Sequence, residues 1–353
     1  MKRCVRCIND QTVRHMAYDA DGVCVYCRNY ERIRTRLSDR KFLEERFLER
    51  IEAVRGKYAY DAAIGISGGK DSVYVLHELV RKYGLHVKTF TLLNGFFSEQ
   101  ARKNVDRLVA EFDVEHEYIS FPSELLQRFF RHSVKHWLTP CIACSYLGYA
   151  AMINYTVKSD AGICIHGRSP QQMLRYYGDD VFTPLIDAGL QPLSELNLNA
   201  LYENLLSSIE SRMNPQLLRD VKEILYEDIS GKPFREFVGY FLYHDYDEAE
   251  IVRFLKANTA WIPDENYDHY DCAVHNAAHY IYQCAEGRPH CLPEVSVLVR
   301  SGKCTPEEAL AMVEAARLSR KPKEELKLLC DTVGLRQTPI FMKCGIYRTL
   351  VKK

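Results

Sequence analysis

The sequence predicts an α/β protein in which a doubly wound, mostly parallel sheet follows a short cysteine-rich segment and precedes a mainly helical region. Three observations support this prediction. Between about residues 58 and 190, short apolar runs alternate with amphipathic stretches, as in β-α-β units. From about residue 191 onward, helical spacing dominates. Two Cys-x-x-Cys pairs stand within the first 27 residues.

Four strands and three helices are predicted in the central region. The strands cover residues 58–66, 86–93, 114–120 and 161–166. The helices cover residues 71–83, 98–112 and 123–132, and Ser98 is suited to be the N-cap of the second. Ligands of such sheets bind beyond the carboxyl ends of the strands. The loops that follow the strands are therefore where we expect a site.

Helical patterns continue through the second half of the chain. They predict helices over residues 201–211, 215–226, 247–258, 273–285 and 305–318. The patterns together predict four parts. These are a four-cysteine knuckle over 1–32, a linking helix over 33–57, the α/β domain over 58–190 and a helical region over 191–353.

Composition argues against several classes of protein. Lys and Arg together number 47, as do Asp and Glu, so the chain lacks the basic excess typical of proteins that bind long nucleic acids. No apolar run reaches the roughly 18 residues that cross a bilayer, and none follows the first residues as in a signal peptide. We therefore expect a cytoplasmic protein with no membrane partner. In that compartment the 13 cysteines are expected to bind metal or do chemistry.

A glycine-rich segment follows the first predicted strand directly and precedes the first helix. Its members are Ser67, Gly68, Gly69, Lys70, Asp71 and Ser72. The glycines allow a bulky anion to approach the backbone, and the following helix offers free N–H groups and a positive dipole end to phosphate. Lys70 can pair with phosphate charge and Asp71 can hold Mg²⁺. The segment lacks the Walker spacing.

This hexapeptide resembles the PP-loop of the ATP pyrophosphatase superfamily, whose pattern is Ser-Gly-Gly-x-Asp-Ser. The resemblance implies an adenine nucleotide alpha-hydrolase-like fold and cleavage of ATP between its α and β phosphates. A substrate oxygen then takes the AMP, and a nitrogen or sulfur nucleophile displaces it. Two later loops fit nucleotide contact, although each alone has the pattern of a plain β-α loop. Their candidate residues are Thr91, Asn94, Gly167 and Arg168.

Four cysteines near the amino terminus form two pairs, Cys4-x-x-Cys7 and Cys24-x-x-Cys27, with 16 residues between them. Four thiolates at this spacing are typical of a closed, tetrahedral Zn²⁺ site with a structural role. A redox or iron–sulfur role is the alternative for these residues.

The residues around those pairs resemble the opening of the N-acetyl sugar amidotransferase family. That opening is Cys-x-x-Cys-Ile-x-Asp-Thr, followed by Phe-Asp-x-x-Gly-Val-Cys-x-x-Cys, and residues 18–24 here are Tyr-Asp-Ala-Asp-Gly-Val-Cys. The similarity extends through residues 67–72 and 94–104 and returns weakly at 299–309. The resemblance implies a PP-loop enzyme that aminates a sugar amide with ammonia from a glutaminase partner.

A further pair, Cys141 and Cys144, departs from that family and stands at the predicted start of a helix. It resembles the Cys-x-x-Cys of sulfur-inserting PP-loop enzymes, such as the tRNA 2-thiocytidine and 2-thiouridine synthases. There a third, distant cysteine completes three ligands to a [4Fe-4S] cluster and leaves the fourth iron free to hold sulfide. A helix N-terminus is expected to lower the pKa of such thiols. Two buried thiols or a second zinc site are the alternatives.

Cys272 is our candidate for the third cluster ligand, because it stands among polar residues at a predicted helix start. The other cysteines look buried or peripheral: Cys164, Cys284, Cys291, Cys304, Cys330 and Cys344. Cys284 and Cys291 could form a metal site with each other. His275 and His279, four positions apart on one helical face, fit either core packing or an outer shell around a metal.

The sequence thus favours a sulfur transferase that adenylates a carbonyl-type oxygen, releases pyrophosphate and replaces AMP with sulfur. The catalytic candidates are Lys70, Asp71, Cys141 and Cys144. Ammonia-dependent amidation is the alternative, and a nucleotide-binding regulator without turnover is a third reading. Zero net charge favours a small-molecule substrate over tRNA. The sulfur donor would be a partner such as a cysteine desulfurase, replaced by a glutaminase under amidation, and a homodimer is left open.

Overall fold

The computed structural model describes residues 2–13, 15–169, 172, 200–226, 229, 231–233, 235–263 and 271–335. These residues contain a parallel sheet with the strand order β3-β2-β1-β4-β5. The strands are β1 (Tyr60–Gly65), β2 (Val87–Leu93), β3 (Glu115–Ser120), β4 (Ala161–His166) and β5 (Glu236–Gly239). The predicted α/β class and its four central strands are confirmed.

The fifth strand comes from the region that the sequence assigned to helices. β5 has only four residues and pairs with β4, His166 lying opposite Gly239. A run this short shows no alternating pattern of its own. Its extended conformation depends on hydrogen bonds to β4, which local sequence does not reveal.

Helices surround the sheet. In the first half these are α1 (Val25–Leu37), α2 (Arg40–Val54), α3 (Lys70–His77), α4 (Glu99–Phe112), α5 (Ser123–Trp137) and α6 (Cys141–Lys158). α3 continues as a π-helical turn, Glu78–Lys82. The predicted N-cap of α4 is confirmed, since the Ser98 hydroxyl accepts the Ala101 N–H. α5 runs beyond its predicted end because Val134 and Trp137 continue the buried face.

The second half supplies α7 (Ala200–Glu210), α8 (Pro215–Tyr226), α9 (Tyr240–Tyr243), α10 (Glu248–Asn258), α11 (His275–Glu286), α12 (Leu292–Arg300), α13 (Pro306–Ala315) and α14 (Lys323–Val333). The mainly helical character predicted for this half is confirmed for the described residues, with β5 as the exception. Among those same residues, no helix combines the length and the apolar character needed to cross a bilayer.

The core lies on both faces of the central strand. Ala62, Ala63 and Ile64 in β1 have no exposed surface. Consecutive strand residues point to opposite faces, so both faces of β1 are covered, as in a doubly wound sheet. Leu43 and Phe47 of α2 belong to the same core, and each large apolar side chain buried there contributes about 1.5–3 kcal/mol.

The amino-terminal cysteine segment packs against the C-terminal helices. Its apolar residues share a second, smaller core with Leu292, Val295 and Val313 of α12 and α13. The Ser296 hydroxyl donates to Asn9 Oδ1 at 2.8 Å. The amino-terminal cysteine segment and the helices α12 and α13 therefore form one local unit.

Candidate functional site

The loop between β1 and α3 has a fixed shape that requires glycine. Gly68 has a φ of +71°, and a Cβ there would lie 2.4 Å from the Ala101 carbonyl oxygen. The Ser67 N–H donates to the Ser72 hydroxyl oxygen at 3.2 Å, and that hydroxyl donates to the Gly69 carbonyl at 3.1 Å. The loop therefore closes on itself at the start of α3. It lies between a strand and a helix, which is the position that the resemblance to a PP-loop implies.

Two side chains hold this loop from outside. The Gly68 carbonyl accepts hydrogen bonds from Asn104 Nδ2 at 3.3 Å and from Trp261 Nε1 at 2.9 Å. Asn104 also exchanges hydrogen bonds with the backbone of Ile262, at 2.8 and 3.2 Å. The loop is thus braced by α4 and by the segment after α10. Trp261 is one of two tryptophans in the chain and touches the loop directly.

Lys70 presents a buried positive charge at the loop. Its side chain is 7% exposed, and its Nζ lies 3.2 Å from Glu248 Oε1 and 3.8 Å from Asp71 Oδ2. Burial by itself would lower the pKa of Lys70, but the Asp71 and Glu248 carboxylates raise it above its ordinary value. The ammonium group therefore stays charged at neutral pH.

Asp71 is held by two residues that the sequence analysis missed. Its carboxylate accepts hydrogen bonds from Gln172 Nε2 at 2.7 Å and from the Tyr246 hydroxyl at 3.1 Å. Burial raises the pKa of Asp71, while the Lys70 ammonium lowers it and so opposes the shift. Gln172 and Tyr246 stand 101 and 175 positions away in the chain, so no local pattern marks them.

The end of β4 touches the loop. A Cβ on Gly167 would lie 2.7 Å from the Asp71 carbonyl oxygen, so the two backbones are in contact. The next residue, Arg168, donates from its Nη1 to the Ser145 hydroxyl at 2.8 Å, and its guanidinium lies 5.6 Å from the centre of the Tyr149 ring. These contacts keep the Arg168 charge at the end of the sheet.

The end of β2 connects the loop to the central cysteines. The Thr91 hydroxyl donates to the Ile66 carbonyl at 2.6 Å and so ties β2 to β1. Asn94 Oδ1 accepts the Phe96 N–H at 2.8 Å, and Asn94 Nδ2 lies 3.2 Å from Cys144 Sγ. The amide of Asn94 thus bridges the turn after β2 and the first turn of α6.

The loop, the ends of β2 and β4 and the start of α6 surround one cavity of about 340 Å³. The candidates from the sequence that line it are Ser67, Gly69, Lys70, Asp71, Ser72, Thr91, Asn94, Cys141, Cys144, Gly167, Arg168 and Cys272. Of the candidates for this site, Gly68 lies outside the lining because it turns toward Asn104 and Trp261. Apolar side chains complete the wall, among them Phe90, Phe96, Phe97, Phe130 and Met152.

Cys141 and Cys144 stand in the first turn of α6. The turn before this helix is braced by Ser133, whose hydroxyl donates to the Thr139 carbonyl at 2.6 Å and accepts the Ala143 N–H at 3.3 Å. This bracing sets where α6 begins and therefore where both thiols lie.

Cys272 reaches the same cavity from the C-terminal region. Its backbone forms an isolated antiparallel bridge with Phe97, and the Ala273 N–H donates to the Phe96 carbonyl at 2.8 Å. The segment that carries Cys272 is thus paired with the turn after β2. Three thiols from two distant segments line one cavity.

The expectation that the helix N-terminus lowers the pKa of the central thiols is wrong for Cys144. Burial raises the pKa of Cys144 to about 11, negative charge at Cys141 adds to the rise, and the hydrogen bond from Asn94 offsets only part of it. Burial, followed by the charges of Cys141 and Asp271, also raises the pKa of Cys272 well above its ordinary value. A metal bound by these thiols must therefore displace their protons.

Asp271 is a further cavity residue that the sequence analysis missed. Its side chain lines the cavity beside the loop, and its Oδ2 lies 4.0 Å from the position that a Cβ on Gly69 would occupy. Burial raises the pKa of Asp271, while the nearby Ser67 hydroxyl and the charges of Lys70 and Arg168 lower it in part. In the sequence, only its place next to Cys272 pointed to it.

The amino-terminal cysteines meet the geometry of a single metal ion. The sulfurs of Cys4, Cys7, Cys24 and Cys27 all lie within 4.8 Å of one another. The Sγ–Sγ distances are 3.7 Å for Cys4–Cys27 and 3.8 Å for Cys7–Cys24. A tetrahedral zinc ion with bonds of about 2.3 Å places its thiolates about 3.8 Å apart. The hydrogen bond with Cys24 lowers the pKa of Cys7, whereas interaction with Cys24 raises the pKa of Cys27, so Cys7 loses its proton more readily than Cys27.

Three buried histidines form a cluster between α11 and the turn before α12, with only His279 and His290 stacked. Ring centres are 3.7 Å apart for His275 and His279, 3.3 Å for His279 and His290, and 6.4 Å for His275 and His290. Within the described ranges, only the four amino-terminal cysteines converge tightly enough to share one ion. His275 lies at the cavity wall, so the choice between core packing and an outer shell around a metal stays as the sequence left it.

No protein-family model and no curated protein matches the chain. It is similar to a U34-tRNA thiolase, NcsA from Methanococcus maripaludis with its [4Fe-4S] cluster, at 13% identity over 95% of this chain and 99% of that chain, with a TM-score of 0.39. An NH3-dependent NAD synthetase from Campylobacter jejuni subsp. jejuni shares 16% identity over 54% and 95%, with a TM-score of 0.32. An NMN synthetase from Francisella tularensis shares 19% identity over 51% and 74%, with a TM-score of 0.31. At such low TM-scores these likenesses decide neither activity nor substrate.

Proposed function

We propose that the chain is a cytoplasmic, ATP-dependent sulfur transferase of the PP-loop type. It transfers AMP from ATP to a carbonyl-type oxygen of its substrate, releases pyrophosphate and then exchanges AMP for sulfur. The main support for the proposal is that Cys141, Cys144 and Cys272 line the same cavity as the loop at residues 67–72. That loop has the glycine-rich pattern of a phosphate-binding loop. A nucleotide held by this loop lies next to three thiols.

The loop residues suit the first step. The N-terminus of α3 offers N–H groups and a positive dipole end to phosphate. The buried Lys70 ammonium faces the cavity and offsets the charge of the departing pyrophosphate. Asp71, positioned by Gln172 and Tyr246, supplies a carboxylate for Mg²⁺, a hard cation that prefers oxygen ligands.

In that step the substrate oxygen attacks the α-phosphorus. The α-phosphorus then loses its bond to the oxygen that bridges it to the β-phosphorus. Pyrophosphate leaves with the electron pair of that bond. The substrate oxygen is thereby esterified to AMP, and AMP is a good leaving group in the next step. Arg168, fixed by Ser145 and Tyr149 at the cavity wall, is our candidate to hold the negatively charged adenylate.

The thiols at the cavity fit a [4Fe-4S] cluster held by three protein ligands, since cysteine thiolates are the usual ligands of such clusters. Among the described residues, Cys141, Cys144 and Cys272 do not converge as tightly as the four amino-terminal cysteines. Looser spacing suits ligands that bind different irons rather than one ion. When bound, such a cluster supplies an iron without a protein thiolate, where incoming sulfur can be held.

In the second step a hydrosulfide sulfur forms a bond to the activated carbon. The bond from that carbon to the AMP oxygen breaks, AMP leaves with the electron pair, and the sulfur loses its proton to solvent. The aromatic wall, with Phe96, Phe97 and Phe130, limits water that would otherwise hydrolyse the adenylate. A sulfur donor such as a cysteine desulfurase, whose persulfide a thiol reductant converts to hydrosulfide while the thiol is oxidised to a disulfide, and a small-molecule substrate complete the reaction.

The amino-terminal cysteines have a separate role in this proposal. Cys4, Cys7, Cys24 and Cys27 hold one structural zinc ion, because their sulfurs match the spacing that one tetrahedral ion requires. Arg300 of α12 also approaches Cys7, its Nη1 lying 3.9 Å from Cys7 Sγ. The ion would fasten the chain start to the C-terminal helices.

Ammonia-dependent amidation is the second candidate. The same adenylation step serves ammonia as well as sulfur, and the resemblance of residues 4–27 to the sugar amidotransferases favours it. The three thiols at the cavity favour sulfur instead, because ammonia transfer makes no use of them. The two functions therefore differ in what Cys141, Cys144 and Cys272 do.

The deciding experiment is anaerobic reconstitution with iron and sulfide. Wild type, Cys141→Ser and Cys272→Ser are compared with Cys284→Ser, whose cysteine is outside the cavity lining. We expect about four irons per chain in wild type and in Cys284→Ser. The two cavity variants should lose iron while they still bind an ATP analogue.

Product formation separates the nucleophiles. The reconstituted protein is incubated with ATP, a metabolite extract, a tRNA fraction and either radiolabelled sulfide or isotopically labelled ammonia. Sulfur label in the small-molecule fraction supports the proposal, and label in RNA would change the substrate class. Iron-free wild type that incorporates ammonia would overturn sulfur transfer in favour of amidation. Full iron in Cys272→Ser would remove Cys272 from the cluster site.

A further inference from the structure

The cavity contains a carboxylate that the proposed reaction leaves without a role. The side chain of Asp271 lines the cavity together with Ser67, the first residue of the loop. Its Oδ2 lies 4.0 Å from the position that a Cβ on Gly69 would occupy. The Asp271 side chain therefore stands at the part of the loop where nucleotide phosphates would bind.

The fold holds this residue in place through its backbone. The Ser98 N–H donates to the Asp271 carbonyl at 3.2 Å, and two residues later the Ala273 N–H donates to the Phe96 carbonyl at 2.8 Å. Ser98 is itself the N-cap of α4. The position of Asp271 is thus set by the turn that follows β2.

An acid at this place is unfavourable for a bare nucleotide. Of the described residues that line the cavity, the Lys and Arg side chains are those of Lys70 and Arg168. Lys70 already lies near the carboxylates of Asp71 and Glu248, at 3.8 and 3.2 Å. A triphosphate brings several more negative charges into this partly dry space, where like charges repel strongly. A divalent cation between carboxylate and phosphate removes that repulsion.

We propose that Asp271 is a ligand of the Mg²⁺ that accompanies the nucleotide, acting from the C-terminal region while Asp71 acts from the loop. This inference rests on the proposed use of ATP. Mg²⁺ is commonly held by one or two carboxylates together with substrate phosphates, so the donors match. Asp271 and Cys272 are neighbours, so one segment would serve both the metal of the nucleotide and the thiol cluster.

The test compares wild type with Asp271→Asn. The nucleotide is α,β-methylene-ATP, which cannot be cleaved between the α and β phosphates, and Mn²⁺ replaces Mg²⁺. Calorimetry measures the affinity for the analogue with and without Mn²⁺. We expect Asp271→Asn to weaken binding of the Mn²⁺ complex about tenfold or more. Binding of the metal-free analogue should stay the same or become tighter, because a repelling charge is gone.

Two further variants make the result decisive. Glu248→Gln is the matched control, since Glu248 also contacts Lys70 but is 61% exposed and is outside the cavity lining. It should shift both affinities by the same factor. Asp271→Glu keeps the charge and moves it by one methylene, so it should change the electron paramagnetic resonance spectrum of bound Mn²⁺ and leave metal-free affinity unchanged.

The outcomes separate this inference from the function on which it rests. Asp271 is no metal ligand if two results are obtained together. Asp271→Asn would have to change the affinities for the Mn²⁺ complex and for the metal-free analogue by the same factor, or change neither, and Asp271→Glu would have to leave the Mn²⁺ spectrum unchanged. The proposed use of ATP would still stand. If Asp271→Asn fails to fold, the Mn²⁺ spectrum of Asp271→Glu decides alone. Wild type that fails to bind the analogue with Mn²⁺ would overturn both.

Discussion

The backbone of Cys272 is bridged to the backbone of Phe97, so a residue of the C-terminal region is fixed to the turn that follows β2. Cys141 and Cys144 approach the same cavity from α6. The thiols and the nucleotide loop therefore belong to different segments. Changes in one group can be tested while the other stays intact.

The closed loop leads to a prediction about Gly68. A Cβ at this position would meet the Ala101 carbonyl oxygen at 2.4 Å, at a φ of +71°. We expect Gly68→Ala to lower the free energy of unfolding by about 2 kcal/mol or more and to abolish binding of an ATP analogue. Urea unfolding and calorimetry measure the two effects.

Gly84 provides the matched control for that variant. It has a φ of +61° but no atom within 4 Å of its would-be Cβ. Gly84→Ala should therefore lose only about 1 kcal/mol, from backbone strain alone. If the free energy of unfolding fell equally in the two variants, contact with the Ala101 carbonyl would not contribute to the loss.

Asp71 is expected to be required for pyrophosphate release. Asp71→Asn keeps the size of the side chain and removes the charge that we assign to Mg²⁺. ATP–pyrophosphate exchange in the presence of a metabolite extract should fall about 100-fold or more. Asp106→Asn is the control, because Asp106 is exposed on α4 and hydrogen-bonds Tyr118 away from the cavity. Exchange at the wild-type rate in Asp71→Asn would rule out this role.

The amino-terminal cysteines are expected to hold one zinc ion per chain in freshly purified protein. Cys24→Ser should lose that ion and lower the melting temperature by at least about 5 °C, because structural zinc contributes directly to folding. Metal analysis and calorimetry test this, with Cys284→Ser as the control. Protein that contains no zinc would contradict the assignment.

His166 predicts a pH dependence of stability. Burial, aided by the Arg168 charge, lowers the pKa of His166 to about 3 in the folded protein, whereas the ordinary value is about 6.5. Above that ordinary value both states are neutral and the group has no effect. As the pH falls toward the folded pKa, the unfolded state gains a proton that the folded state does not. Stability is then lost by up to about 1.4 kcal/mol per pH unit.

The His166→Gln variant isolates this contribution. Its free energy of unfolding should fall less than that of wild type between about pH 7 and about pH 5. The difference between the two urea-unfolding series removes the effect of other titrating groups. Parallel series would mean that the folded protein accepts the proton on His166 without penalty.

Local pattern predicted much of the fold because the elements concerned depend on nearby residues. The apolar run of β1 followed by the hexapeptide at residues 67–72 marked a strand, a loop and a helix, and all three are present. The four-residue β5 escaped prediction because its extended form depends on pairing with β4. The division of the chain into four parts stays a prediction.

The sequence by itself determined the loop at the end of β1 and the two amino-terminal cysteine pairs, since their geometry depends on spacing along the chain. It also pointed to Cys272, although not to its neighbour Asp271. Only the tertiary structure decided that both line the cavity, that Tyr246 positions Asp71, and that burial overrides the helix dipole at Cys144. Those outcomes depend on contacts between distant segments and on exclusion of water, which spacing along the chain does not encode.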